Sequence, residues 1–169
     1  MQKVNDSITI LAIAKFKENG KVYYGLGKDN GLVVKSKAEL RWFKFVTDGR
    51  KCIVGTKTAE GLPPLPNRQL NVMSRSGKDG TINKEEALEL IKEGAVVIGG
   101  KEIYKELGDK TEFLIMTVFE NHGKTLKDFD TFLTGAEIVD LIGYRKKVNT
   151  LDLGFVGEEK ATVEIYAYN

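Results

Sequence analysis

The sequence predicts an α/β three-layer sandwich: a central, mixed, mostly parallel sheet, helices on both faces, and an antiparallel hairpin to close it. Three observations predict this class. Apolar runs rich in β-branched residues recur along the chain, amphipathic helical patterns lie between them, and the C-terminal third changes to apolar–polar alternation. The 169 residues suit one domain spanning 1–169.

The strands come first. Ile8–Ala14 reads as a buried strand, followed by Lys51–Gly55, Leu70–Ser74, Ala95–Gly100 and Glu112–Phe119. Near-continuous apolarity of this kind suits strands covered on both faces, as in a parallel sheet. Ser36-Lys37-Ala38-Glu39 opens a helix with a capping-box pattern, and Leu40, Phe43 and Val46 supply its apolar stripe. Asn83-Lys84-Glu85-Glu86 opens a second helix the same way, running through Leu90 and Ile91 to a Gly94 stop. A short third helix is expected from Lys101 to Leu107. Tyr144–Thr150 and Thr162–Tyr168 then alternate as two antiparallel strands around a long polar connection.

Composition narrows the function classes. Lys plus Arg number 26 against 24 Asp plus Glu, so no basic face for nucleic acid is expected. Cys52 is the only cysteine and His122 the only histidine, which excludes Cys- and His-rich metal constellations and disfavours a Ser-His-Asp triad. No run approaches the roughly 18–20 apolar residues of a membrane span. Met1–Ser7 is polar and mixed in charge, unlike a signal peptide. A soluble cytoplasmic protein is the expectation.

Several segments carry groups able to do chemistry. Val96-Val97-Ile98-Gly99-Gly100-Lys101-Glu102-Ile103-Tyr104 is a strand ending in two glycines and feeding a helix, so backbone can approach a ligand and helix amides can meet phosphate. A tight strand-to-helix turn without a ligand has the same pattern. Gly55-Thr56-Lys57-Thr58 and Val72-Met73-Ser74-Arg75-Ser76 place hydroxyls and cations after two further strands. Ligands of open α/β sheets bind at the carboxyl ends of strands, and three such ends together say more than one. Glu39 is either an exposed capping partner or a partly buried acid beside Leu40, Trp42 and Phe43. Arg68, after Pro63-Pro64-Leu65-Pro66, is either a surface arginine or a planar fork for a carboxylate.

These segments, in their order and near-spacing, resemble the dihydrofolate reductase family. The likeness rests on Ala38-Glu39-Leu40-Arg41-Trp42-Phe43-Lys44, Ile53-Val54-Gly55-Thr56-Lys57-Thr58, Leu65-Pro66-Asn67-Arg68, the Gly99-Gly100 segment through Tyr104, and Met116-Thr117. Leu26-Gly27-Lys28-Asp29-Asn30-Gly31-Leu32 resembles the loop over that family's active site, and Asp130-Thr131-Phe132 its short acidic-Thr-Phe motif. The likeness spans about residues 8–168 and implies an eight-stranded mixed sheet with NADPH and a folate lying across it.

The resemblance also implies roles. Glu39 would be the catalytic acid of the pterin pocket, accepting from the pterin 2-amino group and ring N3, with Thr117 supporting it through water. Leu11, Ala12, Leu32 and Leu40 would wall the substrate with Phe43, Leu62, Leu65 and Ile98, while Arg68 would pair with the glutamate tail. Ala12, Ile13 and Ile98 would line the nicotinamide. Gly27, Gly55, Gly99, Gly100 and Tyr104 would approach the rest of the cofactor. Lys57, Thr58, Ser74 and Arg75 would hold phosphates, and Lys101 would add a phosphate contact. The implied activity is NADPH-dependent reduction of dihydrofolate by a monomer. Two other readings are a pyrimidine reductase of riboflavin synthesis with the same fold, and a non-catalytic folate- or nucleotide-binding subunit.

Five positions depart from the family pattern. Leu32-Val33-Val34 replaces Leu-Pro-Trp, Thr56 stands where arginine is common, Ala59 where an aromatic is, and Lys101 replaces the third glycine. The missing tryptophan normally holds water near the acid, so Val34 implies a different proton route.

Overall fold

The computed structural model describes residues 6–28, 31–32, 37–62, 65–74, 76–77, 79–120, 123–156 and 159–168, with backbone alone for 28, 31–32, 37–40 and 156. Its spine is β1 (Ile8–Glu18), which runs parallel to the later strand β7 (Phe113–Glu120) from Ile8↔Phe113 to Lys15↔Glu120. On the other side β1 pairs with the two-residue β6 (Val96–Val97), which leads to β4 (Lys51–Gly55) and edge strand β5 (Gln69–Met73), all parallel. Beyond β7 the sheet turns antiparallel through β10 (Glu159–Ala167) to edge strand β9 (Lys146–Val156). The path is therefore β5-β4-β6-β1-β7-β10-β9.

Three further strands join these seven, making ten among the described residues against the eight expected. β2 (Lys21–Lys28) folds back on β1, and pairs with β3 (Gly31–Leu32) and β8 (Thr131–Thr134). The glycines of Tyr24-Gly25-Leu26-Gly27 hide β2 from an alternation reading, and the four residues of β8 are too few to show a period. The connection expected at residues 151–160 is mostly strand, because β9 and β10 extend through it with two register shifts.

Side-chain alternation sorts the sheet into two cores. Ile8, Ile10, Cys52, Val54, Val96, Ile98, Ile115 and Val163 face one layer, where Trp42, Phe43 and Val46 of α1 (Lys37–Thr47) pack. Leu11, Ile13, Ile53, Val97, Leu114 and Met116 face the other, against α3 (Lys84–Lys92), α4 (Lys101–Leu107) and α5 (Gly135–Ile142). The expected capping box at Asn83 and Glu86 is present, and a second one at Thr134 and Glu137 starts α5. The six-residue α2 (Thr56–Gly61) buries no residue, so periodicity could not announce it. Ser36, the cap expected for α1, lies outside the described residues.

Arg145 is buried without a carboxylate partner among the described residues. Its guanidinium donates to the carbonyls of Leu141 (2.9 Å), Gly108 (2.8 Å) and Thr111 (2.6 Å), closing the ends of α4 and α5 onto one another. Burial pulls its pKa down, against the opposing pull of Tyr168, Asp109 and Glu112.

A smaller aromatic cluster fixes the β1–β2 hairpin. Phe16 stacks on Tyr23 at 5.6 Å and on Phe129 at 5.2 Å. Phe129 occupies the space a side chain at position 25 would need, since a Cβ on Gly25 would run into its ring. Gly25→Ala should therefore destabilise the fold by about 1–3 kcal/mol through overpacking. Adding Phe129→Leu should recover part of that loss. Denaturant midpoints of the two single variants and the double variant measure the coupling, and additive losses would contradict the contact.

Candidate active site

The carboxyl ends of the parallel strands and the α1 face of the sheet meet in one region. Ala12 of β1 lies beside Thr117 of β7, and Thr117 beside Val163 of β10, so these three share a row and a face. Thr117 is fully buried, and its hydroxyl has no hydrogen-bond partner among the described residues. A buried hydroxyl normally finds one. Its position suits a polar ligand group or an ordered water at this point of the sheet. Ile98 at the end of β6, Phe43 from α1 and Leu62 at the end of α2 lie in the apolar layer on the same face. Glu39 lies in the first turn of α1, one turn before Phe43. Its side chain, with those of Leu40 and Leu32, is outside the described residues.

Leu11 and Ile13 belong to this region by backbone only. Their side chains pack into the opposite core with Leu114 and Met116, because alternation along β1 gives the α1 face to Ile8, Ile10 and Ala12.

Arg68 is held where the sequence could not place it. Nε donates to the Thr47 hydroxyl (3.0 Å), Nη1 to the Pro66 carbonyl (2.6 Å) and Nη2 to the Lys44 carbonyl (2.5 Å). Thr47 is itself fully buried and donates to the Phe43 carbonyl at 2.8 Å. A guanidinium has five N–H groups, so these three bonds leave one on each terminal nitrogen without a partner among the described residues, where a carboxylate could pair. Asn67, at φ 65°, ties the same turn to the end of α1 by donating to the Asp48 carboxylate at 2.9 Å. Leu65 is half-buried in this turn. Thr47 is thus a site-supporting residue that pattern reading missed; its only signal is a hydroxyl in the last turn of an amphipathic helix.

Cys52 lies beneath this corner. Burial pushes its thiol up to about 11 despite the nearby charges of Arg68 and Arg50, so it stays protonated and inert at neutral pH.

The other half of the region is built on glycines. The Gly99–Gly100 peptide is cis, and the Gly99 carbonyl accepts from the Gly55 amide at 2.8 Å, joining the ends of β6 and β4. A side chain at Gly99, where φ is 109°, would strike the Tyr104 hydroxyl, and one at Gly100 would strike Oγ1 of Thr58. Tyr104 donates to the Ile10 carbonyl at 2.8 Å, so its hydroxyl braces β1 beneath the turn. Thr56 and Lys57 are exposed and Thr58 half-buried at the start of α2, while Ser74 and Ser76 hydroxyls lie 2.9 Å apart after β5. One ammonium and several hydroxyls at adjacent strand ends have the chemistry to hold phosphates. Arg75 falls outside the described residues. Lys101, expected to add a phosphate contact, directs its ammonium elsewhere: 3.7 Å from Glu137 and 5.4 Å from the centre of the Phe132 ring. Gly27 pairs with Leu32 and with Thr131, and its carbonyl accepts from the Asp130 amide at 3.0 Å.

The family model for dihydrofolate reductase matches residues 9–137, a stretch that holds every residue named in this site except Ile8 and Val163. The chain belongs to the dihydrofolate reductase family. It is 35% identical to the dihydrofolate reductase of Haemophilus influenzae over 115 residues, covering 63% of this chain and 69% of that one. It is also 35% identical to dihydrofolate reductase type 8 of Escherichia coli over 133 residues, covering 68% and 76%. Among solved structures, dihydrofolate reductase from Enterococcus faecalis, complexed with NADP(H) and RAB-propyl, superposes with a TM-score of 0.71 at 25% identity. That superposition covers 96% of each chain, so the family fold includes the β9–β10 hairpin, which the matched segment of sequence does not reach.

Proposed function

We propose that this dihydrofolate reductase family member reduces 7,8-dihydrofolate to 5,6,7,8-tetrahydrofolate, consuming NADPH and one proton. It would act as a single-domain monomer over residues 1–169, in the cytoplasm. One continuous sheet supports the single domain. The charged residues Lys146, Lys147 and Asp152 on edge strand β9 disfavour edge pairing, and a buried free thiol suits a reducing compartment.

NADPH supplies the hydride; the protein aligns and polarises. Glu39, at the start of α1, accepts from the pterin 2-amino group and N3. Thr117, in the row with Ala12 and Val163, supports that carboxylate through water. Phe43, Leu62, Leu65 and Ile98 exclude bulk water and hold the pterin and its aromatic extension, together with Ala12, Leu32 and Leu40. Leu11 and Ile13 contribute main chain. Thr58 and Ser74 with Lys57 and Arg75 hold the phosphates, while Gly27, Gly55, Gly99, Gly100 and Tyr104 shape the cofactor side. Water polarised at the Glu39-bound pterin is the proton source for the imine nitrogen.

The observation that carries this reading is Arg68, fixed against the end of α1 with one N–H on each terminal nitrogen unpartnered among the described residues. It supports a carboxylate-tailed substrate over the sugar phosphate of a riboflavin-pathway reductase, which needs no such clamp. Purified protein should oxidise NADPH only when dihydrofolate is added, and faster than it oxidises NADH, which lacks the charged 2′-phosphate contacts worth about 1.5–3 kcal/mol each. Silence with dihydrofolate would favour a binding subunit. Arg68→Lys should raise KM for dihydrofolate about tenfold or more, since an ammonium cannot replace a two-pronged contact. A pterin without the glutamate tail should be turned over equally by both proteins. Equal loss on both substrates would make Arg68 structural.

A further inference from the structure

The residue following the Gly99–Gly100 turn is engaged inside the protein. Lys101, 29% exposed, places Nζ 3.7 Å from Glu137 Oε1 and over the face of Phe132. Its partners belong to consecutive elements, Phe132 to β8 and Glu137 to the first turn of α5. Glu137 is firmly placed: it accepts from the Thr134 amide at 3.0 Å and pairs with Lys105 at 3.5 Å. Burial pushes its carboxyl up, but the Thr134 amide and hydroxyl with the charges of Lys101 and Lys105 outweigh that and hold it below its ordinary value. It is therefore a carboxylate at neutral pH, and a cation between it and a ring face is attracted by both.

β8 carries the link onward. Phe132 pairs with Gly25 and Thr131 with Gly27 on β2, and Tyr23 meets Phe132 edge-on at 5.5 Å. The Asp130 amide donates to the Gly27 carbonyl at 3.0 Å, and Gly27 in turn pairs with Leu32 of β3. An unbroken series of contacts thus joins the cofactor turn to the strand that bears a substrate-wall residue.

We infer that Lys101 is a positioning residue that fastens the Gly99–Gly100 turn to the β2–β3–β8 ribbon, rather than a phosphate ligand. Its catalytic consequence rests on the function proposed above; the fastening itself does not. A glycine at this position, the residue usual in the family pattern, has neither the ion pair nor the ring contact.

Amide hydrogen exchange at Asp130 in the full chain, free of cofactor, reads the fastening directly. Lys101→Met keeps the aliphatic stem but removes the charge. Exchange at Asp130 should quicken about tenfold, and Lys101→Arg should restore it. Lys105→Met, which removes one cation from Glu137 but keeps Lys101 over the Phe132 ring, should quicken it less than Lys101→Met does. The Kd for NADPH, read from the fluorescence of the lone tryptophan, should change by no more than about twofold in Lys101→Met, while hydride transfer slows. Unaltered exchange at Asp130 in Lys101→Met overturns the proposal. So does NADPH binding weakened tenfold or more, most strongly at low salt, which marks a phosphate ligand. Failure of the wild-type protein to reduce dihydrofolate overturns the proposed function, while the exchange result stands by itself.

Discussion

A parallel sheet covered on both faces leaves chemistry only the ends of its strands, and the eight-residue pairing of β1 with β7 decides where those ends fall. That register puts Ala12 beside Thr117 and sends Leu11, Ile13 and Met116 into the opposite core. A slip of one residue would put the inward-facing side chains of one of these strands on the opposite face of the sheet. Ile13 and Leu114 are fully buried, each worth about 1.5–3 kcal/mol relative to exposure, so the register that places the site is also the one that stabilises the fold. The β4 and β6 ends are fixed by the same logic, through short ladders and the Gly55–Gly99 bond.

What the sequence made legible was whatever burial enforces. β4 runs over Lys51–Gly55 as expected, α4 over Lys101–Leu107, and the Asn83 cap stands one residue before α3. β4 is an apolar run and α3 carries local capping chemistry, while α4 follows from the Gly99–Gly100 break before it and its apolar positions Ile103, Tyr104 and Leu107. β2, β3 and β8 were not legible because their pairing is cross-strand and their residues are glycine-rich or few. α5 did carry a readable signal, Thr134-Gly135-Ala136-Glu137, which is the same capping pattern that revealed α3.

The candidate site divides along the same line. Glycines after a strand, hydroxyls at strand ends and an arginine after a proline turn are visible as residue types. What holds them is not. The bonds of Arg68 to Thr47, Pro66 and Lys44 cross between elements, so only the folded chain shows how its guanidinium is held and that two of its N–H groups have no partner among the described residues. Lys101 is the sharper case: residue type and neighbours both pointed to phosphate, and the tertiary partners Glu137 and Phe132 point elsewhere.

The proposed chemistry depends on Glu39 binding the pterin as a carboxylate acceptor rather than serving as a helix cap. Single-turnover hydride transfer by Glu39→Gln, followed against pH with a denaturant midpoint for the same variant, tests that most directly. The variant keeps side-chain size but replaces an acceptor with an amide facing the pterin amino group. Transfer should slow by orders of magnitude, the deficit should shrink at low pH where the substrate arrives protonated, and stability should be unchanged or slightly higher. Near-normal transfer at every pH, together with a stability loss of about 0.5–2 kcal/mol, would make Glu39 a cap and contradict the account.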